Sequence, residues 1–203
     1  MNPDHRTNIV EIVTALAESL LSAWSHFYLL RGLHEGARQH PVVLERFDQL
    51  FGQMWQAVFD GFFAKAGTLL DRTKSTYSLP NLITLVRKYG DSELKQLLPE
   101  IEACLAEQDS PLAKIERWRH EVVAHYTKSG RDSLFYIDNK MNLGDLEGAL
   151  AQLEALLNHV SGAMLDMHND TRGSADLVEE VIALFACLAA QANVHVATSP
   201  GVK

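Results

Sequence analysis

A chain of 203 residues that is 47% hydrophobic and 22% charged has the size and composition of one globular domain with its own core. A formal net charge of −8 argues against a general nucleic-acid coat, because phosphate binding leans on cations. Apolar runs stop short of membrane-spanning length, and the first residues lack a basic region followed by a short apolar core; the chain reads as a cytoplasmic protein with no membrane partner.

Apolar residues recur at three-four spacing almost throughout. Ile9, Ile12, Val13, Leu16, Leu20, Trp24, Phe27 and Tyr28 predict a first long helix over 7–33. Leu44, Phe47, Leu50, Phe51, Met54, Trp55, Val58, Phe59, Phe62 and Phe63 predict a second, with Pro41 suited to its first turn and the aromatic-rich stripe facing the core. A polar break at 71–75 follows. Ser78 and Pro80 then open a short helix that Gly90 closes. Asp91 is placed to cap a fourth helix, which Pro99 should bend or split. Ser110-Pro111 starts a fifth, with Leu112, Ile115, Trp118, Val122 and Val123 on its buried side, ending near Tyr126. In the loop over 127–142, Leu134-Phe135-Tyr136-Ile137 is the one β-like run and reads as a short irregular or extended segment. Asn142 caps the next helix, Ser174 opens the last, and 193–203 reads as a loose tail. These elements make an all-α helical bundle of about six to seven helices in a single domain, 1–203. Cys104 and Cys187 form no metal or redox motif and read as small buried hydrophobes.

Chemistry concentrates in Arg119-His120-Glu121-Val122-Val123-Ala124-His125. Between residues 114 and 131 lie five cations, Lys114, Arg117, Arg119, Lys128 and Arg131, against the carboxylates Glu116 and Glu121. An acidic chain therefore carries a local basic patch. His120 and His125 are five apart, about 140° around a regular helix, so they do not chelate one ion as an H-E-x-x-H pair would. No metal and no cofactor is expected. Arg119 and His125 stand about 120° apart and roughly 9 Å apart along such a helix. Their convergence needs a long arginine side chain, a loosened helix end or a second copy of the motif across a dimer interface. Taken alone, the spacing is a weak signal and is better met by Arg119 in a salt bridge with Glu116 or Glu121 and His125 at a helix C-terminus, with Arg117 and Glu121 paired on a solvated face.

Arg119 to His125 resembles the R-x4-6-H signature of the HEPN superfamily (higher eukaryotes and prokaryotes nucleotide-binding), and the trailing Ala124-His125 is similar to its abortive-infection branch. Leu69-Leu70-Asp71-Arg72 at the end of a long helix, followed by Ser78-Leu79-Pro80-Asn81-Leu82-Ile83, is similar to that branch over about 43–164. His120 stands where the family often has Asn or Asp, and Tyr126-Thr127 replaces an Arg-Asp-like continuation. The resemblance implies a metal-independent endoribonuclease in a toxin or phage-defence role, with RNA as partner, a homodimer that pairs two motifs, and an antitoxin partner; DNA is not expected. It implies Arg119 as the phosphate-binding group and His125 as the general acid/base, with His120, Tyr126, Lys128 and Arg131 as phosphate or substrate contacts. Asp71 is the candidate for a structural pair with an arginine near the site. The alternative is a catalytically silent helical module that binds RNA, a nucleotide or a protein.

Overall fold

A computed structural model describes residues 3–90, 92–124, 133–173 and 175–198. Among them the chain is helical with no strand. α1 (Pro3–Gln39) and α2 (Pro41–Thr68) are long; α3 (Leu79–Tyr89), α4 (Ser92–Ala106) and α5 (Pro111–Trp118) are shorter. A π-helical segment (Arg119–Ala124) continues α5, and α6 (Ser133–Asp138), α7 (Leu143–Leu165) and α8 (Asp176–Thr198) complete the order. The all-α class holds, with an eighth α-helix where the extended segment was expected: 134–137 lies in α6. Phe135 and Asn139 are buried there while Ile137 is exposed, a one-sided pattern that a helical turn satisfies and an isolated strand cannot.

Other boundaries moved for local reasons. α1 runs past residue 33 because its last turns carry Glu35–Arg38 and Gln39–Glu35 side-chain bonds, and it stops just before Pro41. α2 begins at Pro41 and is broken at Phe47 (φ −127°, ψ 32°). α4 is not split by Pro99; both Pro99 and Lys95 are exposed, so water can take the carbonyl that proline orphans. α8 carries on to Thr198, through the alanine-rich stretch around Ala189, Ala190 and Ala192, so the expected tail is helical up to that point. Cys104 is half-buried and Cys187 exposed, against the expectation that both are core. Asp91 and Ser174, expected as caps, lie outside the described residues. Among the described residues, no helix is long and apolar enough to cross a membrane.

The chain gathers into two compact units, 1–24 with 62–173 and 25–61 with 174–203. In the first, the early turns of α1 supply Ile9, Val13, Leu16, Leu20 and Trp24 to the core, and the end of α2 supplies Phe62, Phe63, Ala66, Leu69 and Leu70. α7 packs on α4 and α5 through Leu146, Leu150, Leu153 and Leu157. In the second unit, Leu33, Val43, Phe51, Phe185 and Ala189 form a cluster in which Phe51 and Phe185 meet with ring centroids 4.5 Å apart. Gly36 faces the Phe185 ring so closely that a Cβ would sit 2.6 Å from Cδ2, which is why a helix interior carries glycine there.

Helix starts follow the expected chemistry in two cases out of three. The Ser110 hydroxyl accepts from the Ala113 N–H at 3.2 Å, and Asn142 and Asp145 form a reciprocal capping box. Ser78 differs. It precedes α3 with extended backbone and its carbonyl accepts from the Leu82 N–H, but its hydroxyl caps nothing and is buried without a hydrogen-bond partner among the described residues. The two serines should therefore respond oppositely to truncation. Ser110→Ala should cost about 1 kcal/mol of unfolding free energy. Ser78→Ala should be neutral or stabilising by up to about 1–2 kcal/mol, because it deletes an unsatisfied buried hydroxyl. Urea titration of both variants checks this; equal destabilisation would contradict the distinction.

Candidate functional site

The site is assembled on the first unit from the end of α2, the loop after it and the end of α5. Trp118, the last residue of α5, is clamped on three sides. Its ring stacks on Phe63 at 5.2 Å and meets Phe135 edge-on at 5.3 Å, while its indole N–H donates to the Asn139 carbonyl at 2.9 Å. The next residue, Arg119, still donates its backbone N–H in α-helical fashion to Glu116 and Ile115, with φ −58° and ψ −48°. From there the chain widens into the six-residue π-helical segment. The sequence pattern predicted a regular helix to about Tyr126; the regular helix ends instead at Trp118, and the helix end is loosened before the second motif residue is reached. Val122 and Val123, expected in the core, are only half-buried as a result. π-helical turns occur frequently at functional sites.

Arg119 lies against the last turn of α2. A Cβ on Gly67 would be 2.6 Å from Arg119 Cβ and closer still to its Cδ, so glycine at 67 is what lets the arginine stem pass. Beyond that contact, Arg119 Nη2 donates to Asp71 Oδ2 at 2.8 Å, with the side chains 28% and 12% exposed. The arginine pairs with Asp71 across 48 residues of sequence, not with Glu116 or Glu121. The other Asp71 oxygen accepts the Thr73 N–H at 2.8 Å. Burial pushes the Asp71 carboxyl upward, but hydrogen bonds from the Thr73 backbone and hydroxyl, with the charge and hydrogen bond of Arg119, outweigh it and hold the group below the ordinary aspartate value. Arg119 is thus tethered at one edge of its guanidinium. Its remaining donors have no partner among the described residues and border an open cleft of about 470 Å³ that it shares with Asp71, Arg72, Glu116, Arg117 and His120.

The other described cations of the basic patch, Arg117 and Lys114, are held by backbone carbonyls. Arg117 donates to the Gln108 carbonyl at 2.8 Å and to the Ala113 carbonyl at 3.3 Å, so it is not the partner of Glu121 and meets no carboxylate in those bonds. Lys114 reaches the Lys140 carbonyl at 3.3 Å. Arg72, which the sequence reading did not single out, meets Glu116 at 3.4 Å with both side chains largely exposed. His120 is exposed on the cleft wall, beside Arg119. His125, Tyr126, Lys128 and Arg131 lie outside the described residues. Of the expected site residues, the structure therefore brings together Arg119, His120 and Asp71. Among the described residues no group of three His, Cys, Asp or Glu side chains converges as a metal site would require. The signal that could have found Gly67 and Arg72 was weak: a glycine one residue before a helix end, and a cation beside the acidic partner of Arg119.

The sign of the Asp71 linkage is set by its depressed carboxyl. Its contribution is complete above the ordinary aspartate value of about 3.9 and is lost as pH falls through the lower folded value. Asp71→Asn should cost about 1–3 kcal/mol at pH 7, the range for a hydrogen bond to a charged group. The gap from the parent chain should close as urea titrations are repeated below pH 4; a gap constant to pH 2 would show that the charge is irrelevant. Gly67→Ala in an unconstrained helix would stabilise by roughly 0.5–1 kcal/mol. Here it should destabilise, because the methyl group displaces Arg119; a thermal midpoint equal to or above the parent's would refute that close approach.

The chain matches no curated protein and no solved structure. The family model HEPN_AbiU2, described as AbiU2, matches residues 6–181, a wider span than the 43–164 that the motifs suggested. With that match over most of its length, and with an all-α fold that holds the arginine of its R-x5-H motif at the edge of an open cleft, the chain belongs to the AbiU2 family, an abortive-infection type of HEPN protein.

Proposed function

We propose that this protein is a metal-independent endoribonuclease acting in abortive infection, assembled as a homodimer. The observation that carries the reading is Arg119 itself: a guanidinium fixed at one edge by Asp71, with its other donors unpartnered among the described residues and bordering an open cleft beside His120. A fork held in that way is preorganised for a phosphate, since its position is set before the substrate arrives. In the reaction, the ribose 2′-oxygen attacks the adjacent phosphorus and the bond to the 5′-oxygen breaks, leaving a 2′,3′-cyclic phosphate and a 5′-hydroxyl. His125 takes the 2′-hydroxyl proton or gives one to the departing 5′-oxygen, the second proton transfer falling to the other copy's motif or to water. Arg119 binds the phosphate oxygens and stabilises the charge that gathers on them. His120, Tyr126, Lys128 and Arg131 supply further contacts to the phosphate or the substrate, with Asp71 as the residue that positions Arg119. An antitoxin partner and a cytoplasmic location belong to the same reading.

The competing reading is a catalytically silent module that binds RNA, a nucleotide or a protein. The Asp71 pair favours it, because that pair accounts for Arg119 without any substrate. Incubating the full chain with mixed RNAs in EDTA separates the two. The parent should cleave, and His125→Ala should lose about 10²–10⁴-fold. Arg119→Lys, which keeps the charge but not the fork, should lose about 10²-fold or more. Cleavage that survives both substitutions would overturn the site; absence of cleavage by the folded parent dimer would leave the binding module.

A further inference from the structure

Resting on the ribonuclease reading, we infer that the loop between α2 and α3 is a binding track for single-stranded RNA, leading away from the Arg119 cleft. Lys74 takes a phosphate and Tyr77 stacks a base along it. The loop is rigid for its length. Its ends are joined by the Leu79 N–H donating to the Leu69 carbonyl at 2.9 Å. Its middle is pinned by the Asn81 amide, which donates to the carbonyls of Thr73 at 2.8 Å and Thr76 at 2.7 Å. The Thr76 N–H and hydroxyl both return to the Thr73 carbonyl.

Held on this frame are two exposed side chains, Lys74 and Tyr77. Among the described residues Lys74 makes no hydrogen bond or ion pair. Tyr77 is 51% exposed and meets no other ring among the described residues. Both border a cleft of about 580 Å³, of a size to take a nucleotide-scale ligand, and no acidic side chain lines it. In a chain of net charge −8, the described lining of this cleft holds Lys74 and Arg72 and no carboxylate, the Glu116 partner of Arg72 lying on the side of the Arg119 cleft. Arg72 borders this cleft and the Arg119 cleft alike, so its side chain stands where the two adjoin.

Cations spaced along a groove with an exposed aromatic ring are what an unpaired nucleic-acid strand recognises: charge for its backbone and a flat face for a splayed base. A small anion would need only one such cleft. A strand with its scissile phosphate on Arg119 needs neighbouring surface as well, because its next nucleotides must leave the cleft, and Arg72 borders the surface on one side of it.

The test is fluorescence anisotropy of the full chain with a labelled 12-nucleotide single-stranded RNA, 2′-O-methylated so that it is not cut. Tyr77→Ala should weaken binding about tenfold, while Tyr77→Phe, which keeps the ring, should stay within about twofold. Lys74→Ala should reduce the slope of log affinity against log salt by about 0.7, the loss of one phosphate contact on a single strand. Lys95→Ala, which removes an equal exposed charge from α4, should reduce it less. If the parent binds this RNA and Tyr77→Ala and Lys74→Ala bind it unchanged, the track is overturned while the ribonuclease reading stands. If the parent cleaves RNA yet does not bind the probe, the track alone fails. If it neither binds nor cleaves, both fail.

Discussion

The ion pair between Asp71 and Arg119 is the constraint on which the site's geometry depends. It joins two segments 48 residues apart and does so where both segments change conformation: α2 has just ended, and the α-helical part of the α5 region is about to widen. Each partner is held independently. Asp71 is fixed by the Thr73 N–H, and Arg119 is threaded past Gly67. A partly buried pair of this kind is held by geometry as much as by charge, because either group left alone would face a desolvation penalty with no partner to offset it. The consequence for function is directional. One edge of the guanidinium is consumed by the fold and the rest is presented to the cleft.

The widening after Trp118 follows from the same assembly. Trp118 is locked by Phe63, Phe135 and the Asn139 carbonyl, so the rotation at which Arg119 leaves the helix is dictated by core packing. A regular helix continued from that point would keep its three-four periodicity and send Val122 and Val123 toward the core. The π-helical turn changes the phase, and both valines end half-buried. Of the ways to reconcile Arg119 with a histidine six residues on, the loosened helix end is the one for which the fold supplies a direct physical basis.

Charge distribution adds a second layer. The net negative charge of the chain is not uniform, and two of the cations near the site are tied down by carbonyls rather than neutralised by carboxylates: Arg117 on Gln108 and Ala113, Lys114 on Lys140. A carbonyl holds the side chain in place while leaving the positive field intact. Arg72 and Glu116 make the looser, exposed ion pair expected of a surface contact, worth little in stability.

By itself the sequence determined the helical class, the order of the elements and most helix starts, because apolar periodicity, serine and asparagine caps and prolines act within a few residues of where they stand. It also pointed to Asp71 as a partner for an arginine near the site. The tertiary structure alone decided which arginine edge stays open, that Gly67 makes room for it, that α5 gives way to a π-helical turn, that 133–138 is helical, and that the Ser78 hydroxyl caps nothing. Each of these depends on what lies opposite in space: a methyl-sized gap, an indole clamped on three sides, a hydroxyl with no acceptor in reach. Periodicity along the chain carries no record of such distances, since they arise only when α2, α5 and the loop after α2 are packed together.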